Sequence, residues 1–248
     1  METLQIDNAW PTTIGKEHID LPIEMRKTLI DIIKKQDHVF TEDTYDGKIG
    51  TITESELFER KIYNIFEYSR YSDENEIKQV KDFEKITSNV IREYVHEAWG
   101  TNKDCDIKLR GFGNVQRTFG RRTAPHYHHG WDGVLAHYLT VGEEFDLEEN
   151  QHESLNTDGS GEFFLLDPRP ANVSAAIARK GYPSNNQYVS ITPEVGTTLI
   201  HPGYVWHETS THTKAGIRVL VAASFNILTK NHNELPSTLD NPHRTTKA

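Results

Sequence analysis

Polar and apolar positions follow a helical period in the N-terminal part of the chain. Between residues 72 and 100 the apolar side chains recur about every 3.6 residues, which predicts an amphipathic helix. Ser72 or Asp73 can cap its start and Gly100 can end it. The predicted apolar stripe consists of Ile77, Val80, Phe83, Val90, Ile91, Tyr94, Val95 and Ala98.

A second helix is predicted after Pro22, a residue that favours the first turn of a helix. Its expected buried face is formed by Ile23, Leu29, Ile30 and Ile33. Both helices have one apolar side, so we expect them to pack on a sheet.

From about residue 103 the pattern changes to short alternating or apolar runs, which predict strands. The runs are DIKLRGFGNVQRT, GVLAHYLTV, EFFLL, QYVSITP, GTTLIHP and IRVLVAASFNI, with Gly, Pro and Asn between them. They predict a mainly β, α+β protein whose core is a barrel or two-sheet roll. The polar stretches 147–161 and 168–186 are predicted to be long functional loops.

These patterns suggest one structural domain with three regions. Residues 1–102 form a helical N-terminal support region, residues 103–230 form the β core, and residues 231–248 form a polar C-terminal tail. The boundary at 102/103 is placed where the helical period gives way to strand-like alternation.

Composition and charge exclude several classes of function. The 248 residues carry a net charge of −10, which argues against a nucleic-acid partner and against docking on anionic membranes. The single cysteine, Cys105, allows no intramolecular disulfide. The N-terminus has neither a basic start nor an apolar stretch, and no apolar run is long enough to span a membrane, so we expect a cytoplasmic protein.

The candidate chemistry begins in PHYHHGWDGV, residues 125–134. In an extended chain His126 and His128 point to the same side and His129 points away. His207 lies in HPGYVWHET, between two predicted strands, and can face this pair if the sheets close. Imidazoles grouped in this way suit Fe(II), Zn(II) or Cu, whereas a His-x-His alone can also be a turn.

A third feature is Arg218, which lies in the apolar run GIRVLVAASFNI. It shares one face of the predicted strand with Leu220 and Ala222, so its guanidinium should have a partner. A fixed guanidinium inside a barrel suits bidentate binding of a carboxylate. The alternative is an internal bridge to an Asp or Glu.

In this order the segments PHYH, VWHET and AGIR resemble the 2-oxoglutarate/Fe(II)-dependent oxygenases, in the prolyl-hydroxylase-like branch. That family has Pro-His-x-Asp, a strand, a distal His and then an Arg. The chain is also similar to an uncharacterised His-x-His subgroup through HYHHGWDGVLAHYL, FFLLDPR, PGYVWHET and AASFNI. The resemblance covers roughly residues 105–228.

The resemblance implies a double-stranded β-helix, or jelly roll, with helices packed on one sheet. It implies Fe(II) held by His126, His128 and His207, with no catalytic residue beyond these ligands. The co-substrates would be O2 and 2-oxoglutarate, whose far carboxylate would meet Arg218. Tyr138 would donate a hydrogen bond to the co-substrate, or would simply be a tyrosine of the core. The implied reaction hydroxylates an unactivated C–H bond of a small molecule, amino acid or peptidyl residue and releases succinate and CO2.

One departure from the family pattern leaves alternatives open, because His128 stands where the family has Asp. His128 can complete a three-histidine site, or Asp132 can supply the carboxylate. His128-His129-Gly130 also resembles the His-x-Gly of related halogenases, in which His128 would be the first ligand. A rival of another class is a non-enzymatic, metal-binding jelly-roll or cupin-like module.

Further candidates for substrate contact, or for support of the ligands, flank these motifs: Trp131, Asp132, Asp167, Arg169 and Trp206. Simple packing of the tryptophans and a structural salt bridge within DPR are the alternatives.

Overall fold

Two antiparallel sheets and two helices make up the computed structural model, which describes residues 12–44, 64–117, 122–142, 159–167 and 188–228. Most of both predicted long loops, and the predicted tail, lie outside these residues. The predicted mainly β class with helices is confirmed at this level.

The helices are α1, Ile23–Thr44, and α2, Glu74–Trp99, with a short 3-10 turn at Tyr68–Arg70 between them. Asp73 caps α2, because its side chain accepts hydrogen bonds from two backbone N–H groups of the first turn. Gly100 ends the helix in the left-handed conformation, with φ 69°. Both predicted ends are therefore confirmed. Within the described residues, no helix has the length and apolar composition needed to cross a membrane.

The predicted stripe of α2 is largely correct, and that of α1 is wrong at one position. Val80, Phe83, Ile91, Tyr94 and Val95 are buried on α2. On α1, Ile23 is 46% exposed while Met25 is buried. Two residues correspond to about 200° around a helix, so Met25 and Ile23 lie on nearly opposite sides.

The eight strands in the described part of the chain divide between a five-stranded sheet, ordered β1-β6-β3-β8-β2, and a three-stranded sheet, ordered β5-β4-β7. Each predicted run contains one strand, and β1 and β7 are additional. Because β1 pairs with β6, part of the predicted helical support region lies inside the large sheet. The strands are β1 Gly15–His18, β2 Asp106–Arg117, β3 Gly133–Val141, β4 Phe163–Leu166, β5 Tyr188–Ile191, β6 Thr197–Pro202, β7 His207–Thr209 and β8 Ile217–Leu228.

The central strands of the large sheet, β3, β6 and β8, are buried on both faces and separate two clusters of apolar side chains. On one face the helices pack against residues such as Leu135, Val219 and Phe225. On the other face Leu199, Leu220 and other residues meet Phe163 and Leu165 of the small sheet. Alternate residues of β8 therefore point into different environments, and the polar ones discussed below lie between the sheets.

Close packing of α1 on β2 depends on Gly113. A Cβ atom at this position would lie 2.3 Å from Cγ2 of Ile33. We expect Gly113→Ala to lower the free energy of unfolding by about 1–3 kcal/mol, because overpacking forces side chains off their rotamers. Urea denaturation measures this loss, and in an Ile33→Ala background it should shrink. An equal loss in both backgrounds would show that the α1 contact is not its cause.

A buried histidine on the helix side makes stability depend on pH. His137 is 2% exposed, lies against Phe83, and its Nδ1 is 2.8 Å from the hydroxyl of Thr198. Burial, aided by the charge of His18, lowers the pKa of His137 from 6.5 to about 4. As the pH falls, the unfolded chain therefore binds a proton at His137 before the folded chain does. The contribution of neutral His137 to the free energy of unfolding is complete above pH 6.5 and is lost as the pH falls towards 4.

We expect His137 to account for about 2 kcal/mol of the stability lost between about pH 7 and about pH 5. Urea denaturation at several pH values gives the free energy of unfolding of the wild type and of His137→Asn, which cannot titrate at this position. The contribution of His137 is the difference between the two proteins in how steeply this free energy falls with pH. Identical slopes would mean that His137 stays neutral in the unfolded chain or is readily protonated in the folded one.

Candidate metal and anion site

Two distant histidines are joined through their backbones. The N–H of His126 donates to the carbonyl of His207 at 3.0 Å, and the N–H of His207 donates back at 2.9 Å. The pairing continues at Thr209, whose N–H donates to the carbonyl of Thr123. Gln116 of β2 supports it by donating to the hydroxyls of both threonines. The segment before β3 is thus fixed against β7.

Three imidazoles converge at this pair. His126, His128 and His207 each offer a ring nitrogen, and these atoms all lie within 4.8 Å of one another. His128 and His207 are buried, and His126 is half-buried. The predicted common side of His126 and His128 is confirmed, and His129 is exposed. The common side of His126 and His128 follows from the extended backbone, which is fixed because the N–H of His128 donates to the carbonyl of Gly203.

Hydrogen bonds orient all three rings through Nδ1. Nδ1 of His126 lies 2.9 Å from the carbonyl of Ala124, and Nδ1 of His207 lies 3.1 Å from the carbonyl of Val205. A carbonyl only accepts, so both Nδ1 atoms carry the proton and Nε2 holds the lone pair. Nδ1 of His128 lies 3.0 Å from the hydroxyl of Ser224 on β8. Such bonds orient metal-binding histidines in proteins.

Burial keeps the deepest ring neutral. The pKa of His207 lies well below its usual value, first because of desolvation and then because of the neighbouring His201, His126 and His128. A neutral imidazole is the form that binds a metal. Within the described residues, the candidate metal-binding group holds these three histidines and no carboxylate.

A fourth imidazole, His201, was missed in the sequence. It is fully buried on β6, and its ring centroid lies 4.6 Å from that of His207. Burial lowers the pKa of His201 to about 4. Its sequence signal was the polar residue at the end of the apolar run GTTLIHP, where a buried side chain is expected.

Arg218 is buried between the sheets with much of its hydrogen-bonding capacity unused. It is 1% exposed, and Nη1 donates to the carbonyl of Gly161. Nε and Nη2 have no hydrogen-bond partner among the described residues. Its guanidinium lies 5.4 Å from the ring centre of Tyr138, and burial lowers the pKa of Arg218.

Two more buried polar atoms accompany this guanidinium. The hydroxyl of Tyr138 and Nε2 of His212 have no hydrogen-bond partner in the described part of the chain. His212 is also a residue that the sequence did not single out, and burial together with the charge of Arg218 lowers its pKa to about 4. The N–H groups of Arg218 and the O–H of Tyr138 are donors, and an anion would satisfy them, because unpaired donors are costly in an interior.

The remaining predicted residues lie around this centre in different roles. Asp132 is exposed, and its Oδ2 accepts from the N–H of Ile227 at 2.8 Å, outside the histidine group. Trp206 is 43% exposed, and its ring centroid lies 4.9 Å from that of Tyr127 with the two rings tilted by 44°, while Trp131 is half-buried. Asp167 is half-buried after β4. Arg169 lies outside the described residues.

No protein-family model matches the sequence, and no curated protein matches it. The matching solved structures include members of the 2OG-Fe(II) oxygenase family and prolyl hydroxylases. A prolyl-4-hydroxylase from Pseudomonas putida is 9% identical, with a TM-score of 0.49 over 88% of this chain and 89% of that one. A viral collagen prolyl hydroxylase from Paramecium Bursaria Chlorella virus-1 is 13% identical, with a TM-score of 0.46 over 92% and 99%.

An oxidoreductase of the 2OG-Fe(II) oxygenase family from Burkholderia pseudomallei is also 13% identical, with a TM-score of 0.38. The match covers 60% of this chain and 57% of the length of that protein. The side chains of this chain, and not these likenesses, carry the function proposed below.

The unused donors of Arg218 generate a prediction about stability. We expect Arg218→Met to raise the free energy of unfolding of the ligand-free protein by about 1–3 kcal/mol, because a buried, incompletely paired charge is replaced by an apolar side chain. Urea denaturation without added anions measures the change. Destabilisation by a similar amount would show that the Gly161 and Tyr138 contacts make Arg218 a structural residue.

Proposed function

We propose that the protein is an Fe(II)- and 2-oxoglutarate-dependent oxygenase that hydroxylates an unactivated C–H bond. The observation that carries the proposal is the pairing of two features between the same sheets. Three imidazoles converge with their Nδ1 atoms already hydrogen-bonded, and the buried Arg218 retains two nitrogen donors that have no partner within the described ranges. Together they suit one ligand that binds a metal at one end and carries a carboxylate at the other.

The histidine group fits a metal ion. His126, His128 and His207 would hold it through Nε2, since their Nδ1 atoms are engaged by Ala124, Ser224 and Val205. Imidazole is a suitable ligand for iron, and three protein ligands leave coordination positions for other molecules. When bound, the metal and 2-oxoglutarate supply, with O2, the oxidant for the C–H bond, and the co-substrate leaves as succinate and CO2.

The guanidinium fits the distal carboxylate of 2-oxoglutarate. Nε and Nη2 of Arg218 would donate to it, and the hydroxyl of Tyr138 would add a third donor. Leu220 and Ala222 share a face of β8 with Arg218 and Ser224, because alternate residues of a strand point the same way. The apolar side chains of Leu220 and Ala222 would contact the methylene groups between the two polar ends of the co-substrate.

The position of the aromatic side chains suggests where a substrate would lie. Tyr127 separates two of the ligands in sequence, Trp206 directly precedes the third, and their exposed rings contact one another at a tilted angle. We assign the outer wall of the site to this pair. Its substrate would be a small molecule, an amino acid or a peptidyl residue.

The same proposal includes the finer fold. We assign the two sheets to a double-stranded β-helix with the metal at one open end. Residues 103–230 would be its core, residues 1–102 its support and residues 231–248 a peripheral tail.

An anaerobic titration of the apo-protein with Fe(II) and then 2-oxoglutarate tests the function. We expect a weak visible charge-transfer band from the chelated keto acid, lost in His126→Ala and in His128→Ala. Arg218→Met should bind Fe(II) as the wild type does but need at least ~10-fold more 2-oxoglutarate, because a charge-assisted bidentate contact is lost. His137→Asn is the matched control, since it alters a buried histidine on the other face of the sheet.

Other outcomes would replace the proposal. Tight metal binding without a band would favour the non-enzymatic metal module. A band that survives His126→Ala would favour the halogenase-like arrangement, in which His128 is the first ligand. A band that survives His128→Ala would indicate that Asp132 or a vacant position replaces it.

A further inference from the structure

A fourth histidine lies against the proposed metal ligands without belonging to their group. His201 shares one face of β6 with Leu199, and both point into the space between the sheets. The ring of His201 is 4.6 Å from that of His207 and 6.1 Å from that of Phe163, measured between centroids. Its side chain therefore lies beside the site, and it is fully buried.

The hydrogen bonds of His201 determine which nitrogen carries the proton. Nδ1 lies 2.9 Å from the carbonyl of Pro202, and a carbonyl only accepts. Nδ1 is therefore the donor, and Nε2 of the neutral ring is an acceptor. Nε2 has no hydrogen-bond partner among the described residues.

An unpaired acceptor in an interior is unfavourable and needs a physical reason. Packing alone does not supply one, because Phe163 stacks on the same ligand ring at 5.4 Å with an apolar side chain. A phenylalanine at position 201 would fill a similar space without the orphaned nitrogen. The histidine adds one acceptor beside the metal ligands, and a donor that arrives with a ligand would satisfy it.

The geometry points to His201 as a positioning residue, whose Nε2 accepts a hydrogen bond from a water molecule bound to the metal. This inference rests on the metal site proposed above. It assigns His201 to holding a ligand of the metal and not to coordination, because its ring nitrogens lie outside the group that converges within 4.8 Å.

Titration of the metal-free full-length protein with Co(II), followed by visible absorption, tests the inference without relying on turnover. His201→Phe keeps an aromatic ring and removes the acceptor, whereas His201→Gln removes the ring and keeps an acceptor oxygen. We expect His201→Phe to weaken Co(II) binding about 10-fold, as loss of outer hydrogen bonds does at other metal sites, and His201→Gln to recover most of it. His137→Phe, another buried histidine, is the control and should bind Co(II) as the wild type does.

The outcomes separate this inference from the proposed function. His126→Ala should abolish Co(II) binding, and if it does not, the metal site itself is wrong. His126→Ala abolishes Co(II) binding in each of the next two outcomes. If His201→Phe then binds Co(II) as the wild type does, or if His201→Gln is the only His201 variant with weaker binding, His201 has a packing role and this inference alone fails. If His201→Phe abolishes binding as completely as His126→Ala, His201 is a ligand. Thermal unfolding checks that each variant folds, and His201→Leu replaces His201→Phe if it does not.

Discussion

The candidate site depends on one pair of backbone hydrogen bonds, those between His126 and His207. They bring together two segments far apart in sequence and place the two rings 4.2 Å apart, measured between centroids. His128 then follows from strand alternation, and its own N–H is fixed by Gly203. Because the backbone makes these contacts, the fold itself brings the three imidazoles together. Side-chain hydrogen bonds then set only the orientation of each ring.

The space between the sheets holds several polar side chains whose hydrogen-bonding groups are not all used. On Arg218, Tyr138 and His201, polar atoms have no hydrogen-bond partner among the described residues, and each unpaired atom costs free energy in an interior. The helix side compensates, because the larger apolar cluster packs α1 and α2 on the opposite face of the same sheet. On that face, His137 illustrates the contrast, since its Nδ1 contacts Thr198. One face thus supplies stability, and the other holds groups suited to binding.

Local signals predicted much of this architecture, and tertiary contacts decided the rest. The cap at Asp73, the end at Gly100 and the strand alternation around Arg218 are encoded within a few neighbouring residues. Strand β1 was missed because GKEH is polar and mostly exposed, and only its pairing with β6 makes it a strand. His201 ends the apolar run GTTLIHP, but this signal alone does not distinguish a buried histidine, and nothing near His212 in sequence does so. Their environment is built by distant segments, including Phe163 beside His201 and Arg218 beside His212.

Strand β8 explains why the two chemical ends of the site keep a fixed separation. Arg218 and Ser224 are an even number of residues apart, so both face the small sheet, and Ser224 orients His128 while Arg218 faces Tyr138. The strand is paired on both sides, with β2 and β3, and its first nine residues are buried. A strand hydrogen-bonded on both edges cannot shift by one residue without turning Arg218 and Ser224 to the helix side. The distance between the imidazole end and the guanidinium end is therefore set by the register of the sheet, which would select the length of the ligand proposed to span them.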